Sequence, residues 1–205
     1  MLFEILFIKD NFDILVKVRK DVRRYVMGLH DLHPHIRWTP KKMALSLVFT
    51  TIIMIATLLV TKKTPNGYIH MGNAFVLLVS LYFGPELSIV PVALGSCLAD
   101  LALRMPEWAL FTLFIKGTMA FIMCAISRRR PRLKLAATTT FAGAVVGSAY
   151  CVLMYTLASC FMAGSFSKWY IEAKWLLFEA VVGVILFYIF GFIIDKTKVY
   201  KMLYS

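Results

Sequence analysis

Acidic residues are scarce in this chain, and the common motifs of catalysis are absent. The sequence has 11 Asp and Glu against 23 Lys and Arg, which gives a formal net charge of +12. It contains no HExxH, no GxSxG, no Walker A loop and no spaced carboxylate pair suited to magnesium. We therefore expect no catalytic residue, no metal site and no cofactor of its own.

Cysteine is also scarce, and its spacing does not indicate a metal site. The chain has four cysteines, all in segments predicted to be helical: Cys97, Cys124, Cys151 and Cys160. We interpret them as small packing residues rather than as disulfide partners or metal ligands.

Apolar residues are abundant instead, at 60% of the chain, with a mean hydropathy of +0.75. A spanning helix needs roughly 20 apolar residues. The sequence thus predicts an all-α integral membrane protein with a bundle of six transmembrane helices. Turn signals at Gly84-Pro85 and at 104–106 make the short second and third helices one hairpin. The predicted spans are 42–61, 72–86, 87–104, 107–127, 135–163 and 173–194.

The basic residues set the predicted orientation. With both termini inside, 17 Lys and Arg fall in inner segments and five in outer loops. Short cytoplasmic loops carry this excess of positive charge. We therefore assign the charge to topology rather than to nucleic-acid binding, and expect a multi-pass protein of the plasma membrane with both termini in the cytoplasm.

Residues 1–38 are unlike the membrane domain, predicted at 39–205. They mix apolar residues with many cations and predict a basic amphipathic helix on the inner membrane surface. The alternative is a soluble amphipathic helix packed on a partner. No cleavable signal peptide is apparent, because Glu4 stands where a basic n-region is expected.

Three ionisable residues fall inside predicted spans, where charge is costly and faces a cavity or another charge. These are Asp100, Lys116 and Glu179. The simplest interpretation is an internal ion pair between Asp100 and Lys116, which needs no ligand. Glu179 then has no obvious partner, so it is the better candidate for contact with a ligand.

The loop between the first two spans is rich in polar and aromatic groups. Tyr68, His70 and Asn73 supply an aromatic face, an imidazole and an amide, and Trp108 and Trp169 on the same side offer stacking surface. An ordinary outer loop has a similar composition. The more specific hypothesis is a lid over a polar ligand, with these residues lining the site.

Small residues recur at four-residue spacing in three spans, which lets helix backbones approach closely in lipid. We expect intramolecular packing at Gly143 and Gly147 and at Gly95. In the first span, Ser46 and Thr50 are candidates for docking a second membrane protein.

Four segments together resemble a known family. They read "GYIHMGNAFVLLVSLYFGP", "ALGSCLADLAL", "FTLFIKGTMAFI" and "FEAVVGVIL". They are similar to the substrate-binding S components of energy-coupling factor (ECF) vitamin transporters, in the hydroxymethylpyrimidine- and pyridoxine-type branch. The resemblance covers about residues 42–195. Its matching positions are Gly67, Tyr68, Ile69, Gly72, Asp100, Ile115, Lys116 and Gly117.

The resemblance implies a subunit that captures a water-soluble vitamin or precursor outside the cell, under the first loop. It also implies a transmembrane T component and two cytoplasmic ATPases as partners, which bind the ATP and magnesium that this chain does not. The sequence departs from the branch at Asn73, where Asp is frequent, at Arg104, near a usual Gly, and at Glu179, where many relatives carry Asn. Ser46 and Thr50 stand nearest to the alanine pair by which the family docks its T component.

Three other functions remain open. A membrane scaffold predicts no tight small ligand and tolerates the loss of Lys116 and Glu179 apart from effects on stability. A membrane enzyme predicts metal-dependent turnover. A self-contained secondary carrier predicts gradient-driven uptake without ATPases.

Overall fold

The computed structural model describes residues 39–59, 61–64, 67–127, 135–167 and 169–197, with the backbone alone given at 62–64 and 67–69. The predicted N-terminal extension, residues 1–38, lies outside this part. The elements in chain order are α1 (Pro40–Leu59), β1 (Thr61–Thr64), β2 (Gly67–His70), α2 (Gly72–Ala102), α3 (Pro106–Ser127), α4 (Thr138–Ala163) and α5 (Trp169–Thr197).

The five helices of the described part are each long and apolar enough to cross a membrane. Their outward side chains are apolar, with Leu47, Phe114 and Phe161 between 64% and 76% exposed. Polar groups are inside instead, and Lys116 is 1% exposed. Apolar surface with a polar interior is the arrangement that lipid requires, so the chain is a multi-pass membrane protein.

Helix starts follow local sequence signals. Thr39 precedes α1, and its hydroxyl accepts a hydrogen bond from the backbone N–H of Lys42 at 3.3 Å. Pro40 and Pro106 are the first residues of α1 and α3, where proline's missing N–H has no helical partner to lose.

The hairpin predicted between residues 72 and 104 is a single element, α2, with its backbone broken at Gly84. Gly84 has φ 68° and ψ −178°, a conformation that is essentially restricted to glycine. The boundary predicted at residues 86 and 87 therefore lies slightly too late in the chain. We call the parts before and after Gly84 the first and second arms of α2.

Contacts with two neighbouring helices show that the arms run antiparallel. Cys124 of α3 lies 3.3 Å from the carbonyl oxygen of Ser80 in the first arm. The same sulfur lies 3.5 Å from the hydroxyl oxygen of Ser88 in the second arm. At the start of α1, the ammonium of Lys42 pairs with Glu86 at 2.7 Å. The chain thus reverses its direction at Gly84.

A two-stranded antiparallel hairpin joins α1 to α2, and the sequence analysis did not predict it. Thr61 pairs with His70, and Thr64 pairs with Gly67. Strand β2 lies against α1 and α5. The stretch is too short for a periodic strand pattern, but its threonines favour extended backbone. The hairpin fixes His70 directly before the first turn of α2.

The small residues pack within the chain, as predicted for the second arm and for α4. A methyl group on Gly95 would lie 2.6 Å from the carbonyl oxygen of Thr50, so these two backbones are in close contact. A methyl group on Gly143 would lie 2.9 Å from the sulfur of Met123. These glycines bring α2 onto α1 and α4 onto α3.

Candidate functional site

A buried polar cluster joins α2, α3 and α5 through the side chain of Asn73. Its Nδ2 donates a hydrogen bond to Glu179 Oε1 at 2.6 Å, and its Oδ1 accepts one from the ammonium of Lys116. The three side chains are 4%, 6% and 1% exposed for Asn73, Glu179 and Lys116. A neutral amide thus bridges a buried cation and a buried anion.

The ammonium of Lys116 has two further neighbours, both on α4. It donates to the sulfur of Cys151 at 3.6 Å and lies 5.1 Å from the centre of the Tyr155 ring. The Tyr155 hydroxyl in turn donates to Thr112 at 2.9 Å. An aromatic face and a sulfur are weak partners for a cation. Of these three neighbours, the Asn73 oxygen is therefore the strongest acceptor for the Lys116 ammonium.

His70 closes the cluster on the side of the hairpin. Its Nδ1 accepts a hydrogen bond from the backbone N–H of Gly72 at 3.0 Å and lies 3.7 Å from Glu179 Oε1. Burial, and secondly the charge of Lys116, hold the pKa of His70 well below its ordinary value of 6.5. The imidazole is therefore neutral, and its Nδ1 is an acceptor. We refer to His70, Asn73, Lys116, Cys151 and Glu179 as the Asn73 cluster.

Helix geometry explains why these groups meet. Lys116 and Glu179 each lie ten residues after the start of their helices, or about 15 Å along the axis. Asn73 lies in the first turn of α2, whose N-terminus favours a nearby carboxylate. Gly183, one turn after Glu179, has no side chain, and this allows α5 to approach Asn73 closely.

The cluster offers several groups that can bind a polar molecule. It places an ammonium, a carboxylate, an amide and an imidazole within one desolvated patch, where each hydrogen bond is strengthened. Among the described residues, no group of three or more His, Cys, Asp or Glu is placed to hold a metal ion.

The structure brings His70, Asn73, Lys116 and Glu179 together, and it places Asp100 elsewhere. Asp100 is buried at 1% exposure near the end of the second arm. The ion pair expected between Asp100 and Lys116 is not formed among the described side chains, because the ammonium reaches instead to the first turn of α2. That part of the sequence interpretation is wrong.

The two tryptophans differ in position. Trp108 is 9% exposed and packs on Tyr155, with 6.0 Å between the ring centres. It therefore borders the cluster through Tyr155. Trp169 is 54% exposed and contacts the ring of Tyr170. The backbone of Tyr68 lies in β2, opposite Lys63.

The candidate docking residues of α1 are half-buried. The Thr50 carbonyl faces Gly95, while the Thr50 hydroxyl donates to the Ser46 carbonyl at 2.9 Å. This face of α1 is thus partly occupied by α2. A role of Ser46 and Thr50 in docking a partner stays a prediction.

Sequence reasoning missed Cys151, Tyr155 and Gly183 as parts of the site. Cys151 and Tyr155 are four residues apart and so share one face of α4, which was the available signal. Gly183 stands at the same spacing from Glu179. Cysteine, tyrosine and glycine do not by themselves indicate a polar site. Their role becomes visible only once α4 is known to face Lys116 and α5 to face Asn73.

The fold and the cluster together define a multi-pass membrane protein with a buried polar site beneath a hairpin. Comparison with known proteins gives the family. Residues 37–196 match the family model of the ECF-type riboflavin transporter, S component. The chain therefore belongs to this ECF S-component family. It is also 31% identical over 147 residues to an uncharacterized protein of Pyrococcus woesei, with 70% of this chain and 95% of that protein covered.

Proposed function

We propose that this protein is the substrate-specific subunit of an ECF transporter and captures a water-soluble vitamin or its precursor outside the cell. It acts as a binding subunit without an enzymatic activity of its own. Transport is driven by a T component and two ATPases, which hydrolyse ATP with magnesium. The Asn73 cluster carries this proposal, because buried, oppositely charged side chains beneath a hairpin suit the capture of a small polar molecule.

In this proposal the membrane orientation follows the basic residues. Both termini lie in the cytoplasm, and α2 makes two crossings, so the domain has six. The Asn73 cluster then lies towards the outside. The antiparallel arms of α2 support the count, since Gly84 lies at the level of the cytoplasmic end of α1, beside the pair of Lys42 with Glu86.

The roles of the residues follow from their contacts. Tyr68, His70 and Asn73 belong to the hairpin and to the first turn that follows it, and act as the lid and its hinge. Glu179 anchors the polar part of the ligand, and Lys116 contacts a ligand oxygen. Trp108 borders the site. Asp100 and Trp169 have outer positions near the entrance, and Ser46 and Thr50 face the T component.

The first vitamins to test are pyridoxine and hydroxymethylpyrimidine, because the sequence resembles that branch of S components. Riboflavin belongs beside them, because the matching family model carries its name. All three are nitrogen heterocycles with hydroxyl groups, and such groups suit the donors and acceptors of the cluster.

The testing experiment is calorimetric titration of the detergent-purified full chain with each B vitamin and its precursors. We expect tight binding of one compound, weakened strongly by Glu179→Gln. The matched control is Glu86→Gln, the same change in a carboxylate just after the break at Gly84 and far along the chain from the first turn of α2; it should leave affinity unchanged. Silence across the panel from a folded protein would overturn the proposal and favour a scaffold.

A transport assay separates the subunit from a self-contained carrier. Cells that express this chain with a T component and ATPases should accumulate the bound vitamin, and cells that express this chain alone should not. Uptake by the isolated chain, driven by an ion gradient in vesicles, would contradict the role of partners.

A further inference from the structure

We propose that Tyr155 is a positioning residue for Lys116. Its ring, tied to α3 through Thr112, holds the Lys116 ammonium beside the oxygen of Asn73. The inference rests on the proposed capture function, in which Lys116 contacts a ligand oxygen, and it deepens that function. It assigns part of the affinity of the site to an aromatic ring and a hydroxyl that act through Lys116.

One face of α3 carries the three side chains that Tyr155 contacts. Trp108, Thr112 and Lys116 follow one another at four-residue spacing, so they lie along the same face of the helix. All three are buried, with 9%, 3% and 1% of their surface exposed. They span two turns, or about 12 Å along the axis, and a single tyrosine of α4 reaches each of them.

The contacts of Tyr155 are made at separate points of its side chain. The ring centre lies 5.1 Å from the ammonium nitrogen of Lys116 and 6.0 Å from the centre of the Trp108 ring. The hydroxyl donates a hydrogen bond to the hydroxyl oxygen of Thr112 at 2.9 Å. A rotation that moved the ring away from Lys116 would break this bond, and its loss is unfavourable because the Thr112 hydroxyl is buried. The ring is therefore fixed in its place over the ammonium.

Lys116 needs this support because its side chain is long and flexible. The oxygen of Asn73 accepts a hydrogen bond from its ammonium on the side of α2. On the side of α4, its neighbours are the sulfur of Cys151 at 3.6 Å and the Tyr155 ring, whose negative face attracts a cation more strongly in a desolvated site. We infer that a displaced ring would leave the ammonium less firmly held against Asn73.

A neutral ring is also a suitable partner for a lysine that binds a ligand. A carboxylate in the place of Tyr155 would form a charge-assisted hydrogen bond with the ammonium and compete with a ligand oxygen for it. The contact with an aromatic face is weaker and covers only one side of the ammonium. Tyr155 thus orients Lys116 and leaves it able to bind an acceptor.

The first test observes the position of Lys116 without any ligand. In the full chain labelled with a carbon isotope at every lysine Cε, the Lys116 signal is the one missing from Lys116→Arg, and its proton shift responds to the ring current of Tyr155. Tyr155→Phe and Thr112→Val keep the ring and remove its hydrogen bond, so both should move this signal. Thr112→Ser should return it towards the wild-type position. A signal that stays unchanged in Tyr155→Phe and Thr112→Val would overturn the inference.

The second test measures affinity by calorimetric titration of the full chain, with riboflavin first and then with the other B vitamins and precursors of the panel. For the compound that binds most tightly, Tyr155→Phe and Thr112→Val should each weaken binding by about three- to tenfold. The double variant should bind no more weakly than either single variant, because both changes remove the same bond. Thr112→Ser, which returns a hydroxyl, should recover most of the affinity.

The matched control is Tyr150→Phe, which removes a hydroxyl five residues before Tyr155 and so on another face of α4. It should change neither the affinity nor the Lys116 signal. Additive losses in the double variant, or full affinity in Tyr155→Phe, would overturn the role of Tyr155 and leave the capture function intact. Binding of no compound by the folded wild type would overturn the capture function and the role of Tyr155 in affinity together.

Discussion

The side chain of Asn73 connects Lys116 on α3 to Glu179 on α5, donating to the carboxylate at 2.6 Å and accepting from the ammonium. Asn73 therefore connects two buried side chains of opposite charge. We expect the cost of burying either charge to depend on whether the other is present.

The charges of Lys116 and Glu179 should be strongly coupled. Lys116→Met leaves a buried carboxylate without its cation and should destabilise the protein by about 3–5 kcal/mol. Adding Glu179→Gln to that variant should restore most of the loss, because neither charge then remains. Thermal unfolding of the wild type, both single variants and the double variant in detergent measures the coupling.

The control is Lys42→Met, which removes the partner of Glu86. That pair is partly solvated, with side chains 34% and 11% exposed, so the loss should be about 1 kcal/mol or less. Additive effects of the Lys116 and Glu179 substitutions would contradict the coupling.

His70 should make the stability of the protein depend on pH. Burial and Lys116 lower its pKa in the folded state, so the unfolded chain binds a proton near the ordinary value of 6.5 while the folded chain does not. Stability contributed by neutral His70 is therefore present above that value. It falls as the pH decreases towards the folded-state pKa, because the unfolded state then holds more protons.

The variant His70→Asn tests this dependence. Asparagine keeps an acceptor near the position of Nδ1, for the N–H of Gly72, and cannot be protonated. Melting temperatures from about pH 5 to about pH 8 should fall at low pH more steeply for the wild type than for the variant. Parallel curves would contradict the role of His70 in this pH dependence.

Gly183 should control the position of Asn73. A methyl group there would lie 3.0 Å from Asn73 Cβ, which forces a shift of a few tenths of an ångström. Such a shift disturbs the hydrogen bond to Glu179 on the same face of α5, so Gly183→Ala should weaken ligand binding by roughly tenfold and destabilise the protein by about 1 kcal/mol. Calorimetry and thermal unfolding measure the two effects.

Gly147→Ala is the matched control for Gly183. Its methyl group would lie 3.5 Å from the nearest atom, the carbonyl oxygen of Met119, which is an ordinary contact. Neither affinity nor stability should fall. If both variants behaved alike, Asn73 would tolerate displacement, and the site would be less tightly packed than we infer.

The membrane spans and the buried ionisable residues were predictable from sequence, because apolar runs and intramembrane charges are local signals. The contacts of Asn73 were not predictable. Asn73 is 43 residues from Lys116 and 106 residues from Glu179. The three side chains meet because the hairpin ends beside α5 and because Gly183 leaves room for Asn73. Charge alone favours Asp100 as the partner of Lys116, yet the long side chain of Lys116 reaches the amide of Asn73.

The reversal of α2 was predicted from Gly84-Pro85, but its location and backbone were not. Proline alone permits a kink in a continuous helix. What distinguishes a reversal is the φ of Gly84, 68°, together with its extended ψ. The sequence therefore indicates the break, whereas packing of both arms against Cys124 determines its direction.

Gly84 should tolerate no side chain, and comparison with Gly164 tests whether its backbone is the reason. Gly164, after α4, has φ 61° and ψ 15°, the left-handed conformation that asparagine also adopts. Gly84 has a similar φ, but its ψ of −178° places it where asparagine is strained as well. Gly164→Asn should change stability little, while Gly84→Asn should cost about 1–3 kcal/mol. Thermal unfolding in detergent distinguishes the two. Equal losses would mean that the reversal at Gly84 relaxes into an ordinary kink, and that the antiparallel arms do not depend on glycine.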